Sequence, residues 1–356
     1  MNRGRAPAIS VIMPAYNGAA WIGETIESVI AQTFTDWELV IVDDRSTDDT
    51  LEAIHAYEQD PRIVVIEAEA NGGPVVARNM AHAAARGRYL VGLDQDDLCK
   101  PGRFAAQAAY LDAHPECALV ATVAEQYEEG RISFWPGEHP LSPAAIDWLL
   151  WVRNPLVWST VMIRAEAAAK LDPFERPQVR YAEDFDLYRR IRAHGTIARL
   201  DESHLLYRCH PGGASQRFRE MMGASAAQVL AERYAPLFGE AAHANAELAV
   251  RHFMARDPVP DLATLAHLSA MLGTIHAHHR ATHDLNAEDR TAVEAEYSRL
   301  WWDIARPPLR QGRLGMREAM AVCPPGVRMP ANDVDRVLTP LIGRVRALGR
   351  GIRNAI

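Results

Sequence analysis

Cysteine is scarce in this sequence. Four cysteines occur among 356 residues, and no two of them form a C-x-x-C pair; they are Cys99, Cys117, Cys209 and Cys323. This spacing excludes a disulfide-rich framework and a cysteine-based zinc knuckle. Because such a chain suits a reducing compartment, we expect a cytoplasmic protein.

Long apolar runs and an excess of positive charge are also missing. No stretch approaches the roughly 18 consecutive apolar residues of a membrane-spanning helix, which argues against an integral membrane protein. The apolar run near the N-terminus is short and ends at Pro14, so it predicts a first strand and not a signal peptide. The formal net charge of −8 argues against a nucleic-acid partner.

Two nucleotide-binding motifs are absent as well. No G-x-G-x-x-G follows the first predicted strand, and no G-x-x-x-x-G-K-[ST] occurs anywhere. The dinucleotide-binding and P-loop interpretations therefore lose their main support. The composition, with 48% hydrophobic and 24% charged residues, is that of an ordinary globular protein, and the length suits about two domains.

Short apolar runs alternate with helix-like segments in the N-terminal third of the chain. The runs predict strands at 8–13, 39–42, 63–66 and 89–93, and the segments between and after them predict helices at 21–31, 47–57, 74–85 and 101–114. Strands that alternate with helices of this length indicate βαβ units. We therefore expect an α/β fold with an open, mostly parallel, Rossmann-like sheet that has helices on both faces.

The remaining chain has a different character. Shorter strands are predicted at 118–123, 159–163 and 205–208, with a helix at 183–193. After about residue 216, Val, Ile and Gly become rarer and helical periodicity dominates. The sequence therefore predicts an α/β domain over residues 1–215 and a mostly α-helical region over residues 216–356.

An acidic turn directly follows the strand predicted at 89–93. Because residues i and i+2 of an extended chain point the same way, Asp94 and Asp96 can face one site. Ligands of open α/β sheets bind beyond the carboxyl ends of the strands, and Mg²⁺ prefers carboxylates together with phosphate oxygens. The turn thus predicts a cation that bridges a diphosphate, although a solvated acidic turn before the next helix is an equal alternative.

Two further acidic segments occupy similar positions. Asp43 and Asp44 follow the strand predicted at 39–42, where an acidic residue often binds a nucleotide's ribose or base. Glu183 and Asp184 open a predicted helix, and a carboxylate there could accept a proton from an attacking alcohol. The plain alternative for both segments is stabilisation of a helix N-terminus by caps and acidic side chains.

Together these segments resemble bacterial family 2 glycosyltransferases of the GT-A fold. The resemblance rests on I-S-V-I-M-P-A-Y-N at 9–17, V-D-D-R-S at 42–46, A-R-N at 77–79, D-Q-D-D at 94–97 and E-D at 183–184, and it covers residues 8–213. It implies an inverting, metal-dependent transfer of a sugar from a nucleotide-diphosphate donor, expected to be a UDP-sugar, to an acceptor hydroxyl. The implied cofactor is Mg²⁺ or Mn²⁺, and the implied setting is bacterial surface polysaccharide or glycan biosynthesis with a glycan or lipid-linked acceptor.

The resemblance also implies residues that hold the nucleotide sugar. Pro14, Tyr16 and Asn17 would line the nucleoside pocket, Asp44 would contact the base or ribose beside Asp43, and Arg78 would lie near the nucleotide.

The same resemblance assigns residues to the reaction. Asp94 would lie against the ribose or a metal-bound water, Asp96 would ligate the metal, and Asp184 would be the catalytic base. Some relatives place a further metal ligand where His210 stands here, and the alternative for His210 is an exposed loop histidine.

Two aromatic groups have competing interpretations. Trp148, Trp151 and Trp158 lie in the middle region, which faces the acceptor in the family, but core packing is the more ordinary role. His279 and His283 are four residues apart in a helix-like stretch that also contains His276 and His278, so they could share a metal. Because no carboxylate or cysteine near them in sequence completes a set, we expect a solvated helix face there.

The C-terminal segment is basic and amphipathic. After Asp335 it has no acidic residue, and if helical it carries Val337, Leu341, Val345, Leu348 and Ile352 on one face and Arg346, Arg350 and Arg353 on the other. That pattern is typical of a helix that lies on anionic lipid, so residues 336–356 predict peripheral contact with the inner face of the membrane. The alternatives are a helix packed on the protein and a frayed tail, and the sequence leaves the oligomeric state open.

Two other functions compete with the glycosyltransferase interpretation. A nucleotidyltransferase that makes NDP-sugars also needs metal-binding carboxylates beyond a parallel sheet, but it usually has a Gly-rich N-terminal loop, where this chain has Pro14, Ala15, Tyr16 and Asn17. A non-catalytic nucleotide-binding protein of the same fold would not need Asp44, Asp96 and Asp184 together.

Overall fold

The computed structural model describes residues 5–135, 138–210, 212–213 and 217–329. Two compact units make up the chain: the first comprises Met1–Pro143 with Pro155–Met222, and the second comprises Ala144–Asn154 with Gly223–Ile356. The short stretch 144–154 thus belongs with the C-terminal helices although it lies within the predicted N-terminal domain. The basic segment 336–356 lies outside the described residues.

One mixed sheet of nine strands forms the centre of the first unit, as counted over the described residues. Its strands are β1 (Ile9–Ala15), β2 (Trp37–Asp43), β3 (Ile63–Glu67), β4 (Tyr89–Gly92), β5 (Leu98–Cys99), β6 (Cys117–Glu128), β7 (Arg131–Ser133), β8 (Met162–Arg164) and β9 (Thr196–Arg208). The order is β3-β2-β1-β4-β8-β6-β9-β5, and β7 pairs with β6.

Strand direction differs between the two halves of the sheet. β1 pairs in parallel with β2 and β4, and β2 pairs in parallel with β3, as the alternating sequence pattern predicts. β8 then runs antiparallel to both β4 and β6, while β6 and β9 form a long parallel pair. The carboxyl ends of β1, β2 and β4 therefore lie along one edge of the sheet.

Helices follow the strands in the first unit. They are α1 (Ile22–Ile30), α2 (Thr50–His55), α3 (Pro74–Ala84), α4 (Arg103–Ala113), α6 (Ala165–Ala168) and α7 (Glu183–Ile191). Every residue of β1 and β2 is buried, which is expected of strands covered on both faces. α3 begins with Pro74 directly after Gly73, whose φ of +83° a side chain would strain.

The second unit is helical. Most of α5 (Pro143–Leu149) and of α8 (Arg219–Phe238) belongs to it, together with α9 (Ala242–Ala249), α10 (Leu262–Thr282), α11 (Ala287–Arg310) and α12 (Met316–Ala321). Asp261 caps α10 by accepting a hydrogen bond from Thr264 N, and Asn286 caps α11 in the same way through Asp289 N. None of the described helices combines the length and hydropathy that a membrane crossing requires.

Candidate active site at the carboxyl end of the sheet

The ends of β1 and β2 are tied together by short polar contacts. The strand register pairs Ala15 with Asp43, so both strands end side by side. Beyond them, Asn17 adopts a φ of +49°, and its side-chain oxygen accepts a hydrogen bond from Thr47 N at 2.8 Å. The Asp43 carboxylate accepts a hydrogen bond from Ser46 N at 3.1 Å and closes the turn after β2. These contacts fix the loops that the sequence predicts to form the nucleoside pocket, and Pro14 lies buried just before them.

Asp44 holds the loop that leads into α3. Its two carboxylate oxygens accept hydrogen bonds from Gly72 N and Gly73 N, each at 2.7 Å. The Asn71 side chain donates to the backbone oxygen of Asp44 at 2.8 Å. Asp44 is only 3% exposed, and these hydrogen bonds are all with residues 71–73. A contact between Asp44 and a base or ribose stays a prediction.

The acidic turn after β4 lies against the end of β1. Gln95 Oε1 accepts a hydrogen bond from Tyr16 N at 2.9 Å, and Gln95 Nε2 donates to Tyr16 O at 3.0 Å. A Cβ atom on Gly18 would come within 2.2 Å of Gln95 Oε1, so a larger residue there would displace the Gln95 amide from these hydrogen bonds. Tyr16 is half-exposed beside the turn. The first motif and the D-Q-D-D motif therefore meet in space.

Arg78 joins the acidic turn to the start of α7. One of its terminal nitrogens is 2.8 Å from Asp94 Oδ1, and the other is 2.6 Å from Glu183 Oε1. The guanidinium also lies over the Trp158 ring, 4.9 Å from its centroid. Burial disfavours the charged form of Arg78, but the surrounding carboxylates outweigh this effect, and the pKa of Arg78 lies well above its ordinary value. Arg78 is thus a permanent positive charge at the meeting point of these segments.

A third acidic residue near Arg78 was not predicted. Glu175 is fully buried, and its Oε2 atom is 3.6 Å from Arg78 Nη1. Burial raises the pKa of Glu175 well above its usual range, against the opposing effect of Arg78. The Asn79 side chain fixes the backbone of Glu175 with two hydrogen bonds of 2.9 Å. In the sequence, only Asn79 of the A-R-N segment at 77–79 pointed to this region, and nothing in the sequence identifies Glu175 as its partner.

Asp96 and His210 form a pair next to this cluster. His210 Nε2 is 2.9 Å from Asp96 Oδ2, with the side chains 16% and 24% exposed. Burial and the neighbouring Asp94 raise the pKa of Asp96, and His210 lowers it in part. The His210 ring lies 5.2 Å from the Trp21 ring, centroid to centroid. The predicted metal ligands are therefore neighbours, although 114 residues separate them in sequence.

Arg208 and Asp97 connect the acidic turn that contains Asp96 to the end of β9, two residues before His210. Arg208 Nε donates to Asp96 O at 2.9 Å, and Arg208 N donates to Asp97 Oδ1 at 3.0 Å. Asp97 is 1% exposed, and burial, together with the charges of Asp96 and Asp94, raises its pKa well above the ordinary value. These contacts hold the end of β9, and with it His210, against the acidic turn.

Asp184 lies in the first turn of α7, next to Glu183. Its Oδ1 atom accepts a hydrogen bond from Phe185 N at 2.7 Å, and the residue is partly exposed. The charges of Asp184 and Asp94 both raise the pKa of the buried Glu175, after the larger effect of burial. Asp184 is thus part of the same electrostatic cluster as Asp94 and Arg78.

The comparison with known proteins agrees with this geometry. The sequence profile of glycosyl transferase family 2 matches residues 10–171. The putative glycosyltransferase EpsE of Bacillus subtilis is 32% identical over 198 residues, which cover 55% of this chain and 69% of EpsE. The chain belongs to glycosyl transferase family 2. The resemblance inferred from the motifs is therefore confirmed.

Solved structures confirm the predicted fold of this family 2 chain. TarS of S. aureus, residues 1–349 in complex with UDP-GlcNAc, superimposes with a TM-score of 0.53 at 18% identity, covering 96% of this chain and 91% of that one. The fold is therefore GT-A.

Other relatives match over a smaller part of their length. The putative teichuronic acid biosynthesis glycosyltransferase TuaG of B. subtilis is 43% identical over 106 residues, which cover 30% of this chain and 42% of TuaG. For two other curated relatives, the chain covers 14% and 73% of their own length.

The tryptophans of the middle region are core residues in this family 2 chain. Trp148, Trp151 and Trp158 are between 0% and 7% exposed, so they pack in the core, as the second interpretation of these residues predicts. Trp158 nevertheless contributes to the site indirectly because Arg78 lies over its ring.

The prediction of a solvated histidine face is wrong. His276 and His279 are buried, at 7% and 0% exposure. The missing carboxylate comes from a distant segment: Asp147 Oδ2 is 3.3 Å from His279 Nε2 and 2.9 Å from His283 Nε2. No local pattern could reveal this partner because 132 residues separate Asp147 from His279.

Proposed function

We propose that this family 2 protein is an inverting, metal-dependent glycosyltransferase that uses a nucleotide-diphosphate sugar, with a UDP-sugar as the expected donor. The observation that carries the proposal is the position of Arg78, which contacts both Asp94 after β4 and Glu183 at the start of α7. This contact brings the predicted donor-binding turn and the predicted catalytic base to one edge of the sheet. The UDP-GlcNAc complex of TarS supports the choice of donor.

The residues around Asp96 fit a divalent cation. A carboxylate and an imidazole lie 2.9 Å apart, both partly exposed, and Asp94 adds a second carboxylate two residues away. Oxygen-rich sites of this kind suit Mg²⁺ or Mn²⁺, which complete their coordination with phosphate oxygens. When bound, the cation would act as a Lewis acid that neutralises charge on the leaving diphosphate. In this proposal Asp96 and His210 hold the ion, and Arg208 keeps both in place.

Asp184 would act as the general base. It is partly exposed at the N-terminus of α7, where the helix dipole favours an ionised carboxylate. It would accept the proton of the acceptor hydroxyl as the oxygen attacks the anomeric carbon, and the bond to the diphosphate would break in the same step. This role needs no covalent intermediate with the protein, so the sugar would be transferred with inversion.

Nucleotide binding would use the ends of β1 and β2. Tyr16 and Asn17 are exposed there, with Asp43 and Asp44 shaping the loops beneath them. TuaG, a relative named for teichuronic acid biosynthesis, supports a role in bacterial surface polysaccharide or glycan assembly. We further propose a glycan or lipid-linked acceptor at the cytoplasmic face of the membrane, approached through residues 336–356.

The test is release of nucleoside diphosphate from a panel of nucleotide sugars, including UDP-GlcNAc and GDP-mannose, with Mn²⁺, Mg²⁺ or EDTA. A donor should stabilise the protein thermally in the presence of Mn²⁺, because ligand binding to the folded state raises stability by mass action. Slow, metal-dependent hydrolysis of the same donor should accompany the stabilisation. If no nucleotide sugar is bound or hydrolysed under any of these conditions, the proposed function is rejected.

A further inference from the structure

The second unit contains a compact set of histidine and aspartate side chains. Among the described residues, Asp147, His279 and His283 form the one group of three His, Cys, Asp or Glu side chains whose potential ligand atoms all lie within 4.8 Å of one another. His279 and His283 are one helical turn apart, and their rings stack with centroids 4.1 Å apart and an interplanar angle of 14°. Both rings therefore present the same edge to Asp147 on α5.

The hydrogen bonds of His283 indicate which of its ring nitrogens carries a proton and which faces Asp147. His283 Nδ1 is 2.9 Å from the backbone oxygen of His279 and 3.0 Å from Thr282 Oγ1. A carbonyl oxygen only accepts hydrogen bonds, so Nδ1 must carry a proton. Nε2 then either carries a second proton or directs a lone pair at the Asp147 carboxylate, 2.9 Å away. In the neutral ring, that lone pair and an ionised Asp147 carboxylate would repel each other, and a cation bound by both would remove the repulsion.

We propose that Asp147, His279 and His283 bind a zinc-like divalent transition-metal ion. Histidine ligands commonly donate their second ring N–H to a carbonyl, as His283 does here, and this contact orients the ring toward the metal. Two ligand atoms on one tetrahedral Zn²⁺, each about 2.0–2.1 Å from the ion, are about 3.3 Å apart. The contacts of Asp147 Oδ2 with His279 and His283, at 3.3 and 2.9 Å, are close to this separation.

The donor set distinguishes this site from the one proposed at Asp96. Two imidazoles and one carboxylate suit Zn²⁺, whereas Mg²⁺ prefers an octahedron of oxygens. The surroundings are also drier, since His279 and Asp147 are 0% and 5% exposed, and His283, at 26%, provides the route to solvent. With three protein ligands, one coordination position would remain for water. The ion would link α5 to the end of α10 and so stabilise the second unit.

The experiment is a Zn²⁺ titration of the full chain carrying Asp96→Asn, so that the His210 pair does not contribute. After EDTA treatment and dialysis, Zn²⁺ should raise the melting temperature by about 5 °C or more at 100 times its dissociation constant. Co²⁺ in place of Zn²⁺ should give the visible absorption of a tetrahedral site at one equivalent. Mg²⁺ should give neither signal.

Added in the same background, His283→Gln should weaken Zn²⁺ binding at least 100-fold and abolish the Co²⁺ absorption. His283 is partly exposed, so this variant is expected to fold, which circular dichroism of the metal-free protein will check. Asp147→Asn provides a second test of the same site. The matched control is His278→Gln on the same helix, which should leave Zn²⁺ binding unchanged. Equal Zn²⁺ affinity in the His283 and His278 variants, or no thermal shift in the starting protein, would overturn the proposal.

Discussion

Both units contain a histidine nitrogen 2.9 Å from an aspartate oxygen, but the two pairs have different surroundings. Beside Asp96 and His210 lie two further acids, Asp94 and Asp97, and both members of the pair are partly exposed. Beside Asp147 and His283 lies a second histidine that is completely buried. The first set is rich in oxygen and open to a ligand, whereas the second is rich in nitrogen and mostly enclosed.

In the two proposals, this difference separates a site for chemistry from a site for stability. Carboxylates at the carboxyl ends of strands can bind a cation together with the phosphates of a substrate. Two imidazoles and a carboxylate that join distant helices can bind a cation without any substrate. The comparison therefore predicts that variants in the first unit change catalysis and donor binding, and that variants in the second change the response of stability to metal and pH.

The largest expected effect comes from Asp184→Asn. If Asp184 is the general base, transfer to the acceptor should fall about 10²–10⁴-fold. The dissociation constant of the donor with Mn²⁺ should change little, because the amide keeps the size of the carboxylate and Asp184 does not hold the diphosphate. Steady-state transfer rates and calorimetric donor binding measure the two quantities. The control is Asp201→Asn, an exposed residue of β9. Near-normal transfer by the Asp184 variant would refute the assignment of the base.

The next effect in size concerns the folding of the first unit. Arg78→Met leaves the buried Glu175 and Glu183 without their cation, and loss of one partner of a buried ion pair typically costs about 3–5 kcal/mol. Urea denaturation should therefore show a markedly lower midpoint. The control is Arg88→Met, because Arg88 pairs with Asp112 at a site where both side chains are more than half exposed, and such pairs contribute about 1 kcal/mol or less. Equal midpoints for the two variants would contradict the structural role of Arg78.

A smaller effect is expected from His210→Gln. If His210 ligates the donor-site cation, UDP binding in Mn²⁺ should weaken about 10–100-fold, while UDP binding in EDTA should be unchanged. Calorimetry of UDP under both conditions measures the difference. The Zn²⁺-dependent thermal shift assigned to the second unit should persist in this variant. If UDP binding in Mn²⁺ is unaffected, His210 is not a ligand and Asp96 would have to bind the cation with other groups.

The sequence predicted those helices and strands that are defined by nearby residues or by a regular spacing of apolar residues. β1 to β4 and α3 lie within about two residues of their predicted bounds, because apolar runs and turn residues define them. The strand predicted at 205–208 is instead the end of β9, which starts at Thr196; the polar Asp201, Glu202 and Ser203 interrupt its apolar pattern where the pairing with β6 is irregular. A register change of this kind depends on the neighbouring strand, so β9 alone could not reveal it.

The same limit applies to the two sites. Asp94 and Asp96 follow a recognisable strand and Glu183 opens a recognisable helix, so a role for them could be predicted before their geometry was known. Glu175 and Asp147 could not, because their importance lies in contacts with Arg78 and His279 that only the folded chain creates. The sequence has no carboxylate close to the histidines that could complete a metal site, whereas the fold supplies Asp147 from a different helix.

The smallest effect tests the second unit through pH. His276 stacks on Tyr297 with ring centroids 4.0 Å apart, and burial, reinforced by Arg280 and His279, lowers its pKa from 6.5 to about 4. The unfolded chain therefore binds a proton between pH 6.5 and 4 that the folded ring does not, so this contribution to stability is complete above pH 6.5 and is lost as the pH falls. At pH 5 the loss is about 1–2 kcal/mol, since one pKa unit corresponds to about 1.4 kcal/mol and local hydration reduces the full value. His276→Phe keeps the stacked ring without the titration. The melting temperature of this variant should therefore fall less between pH 7.5 and 5 than that of the unaltered protein. Some pH dependence should remain because burial also lowers the pKa of His279. Identical slopes for the two proteins would show that His276 takes up its proton within the folded unit.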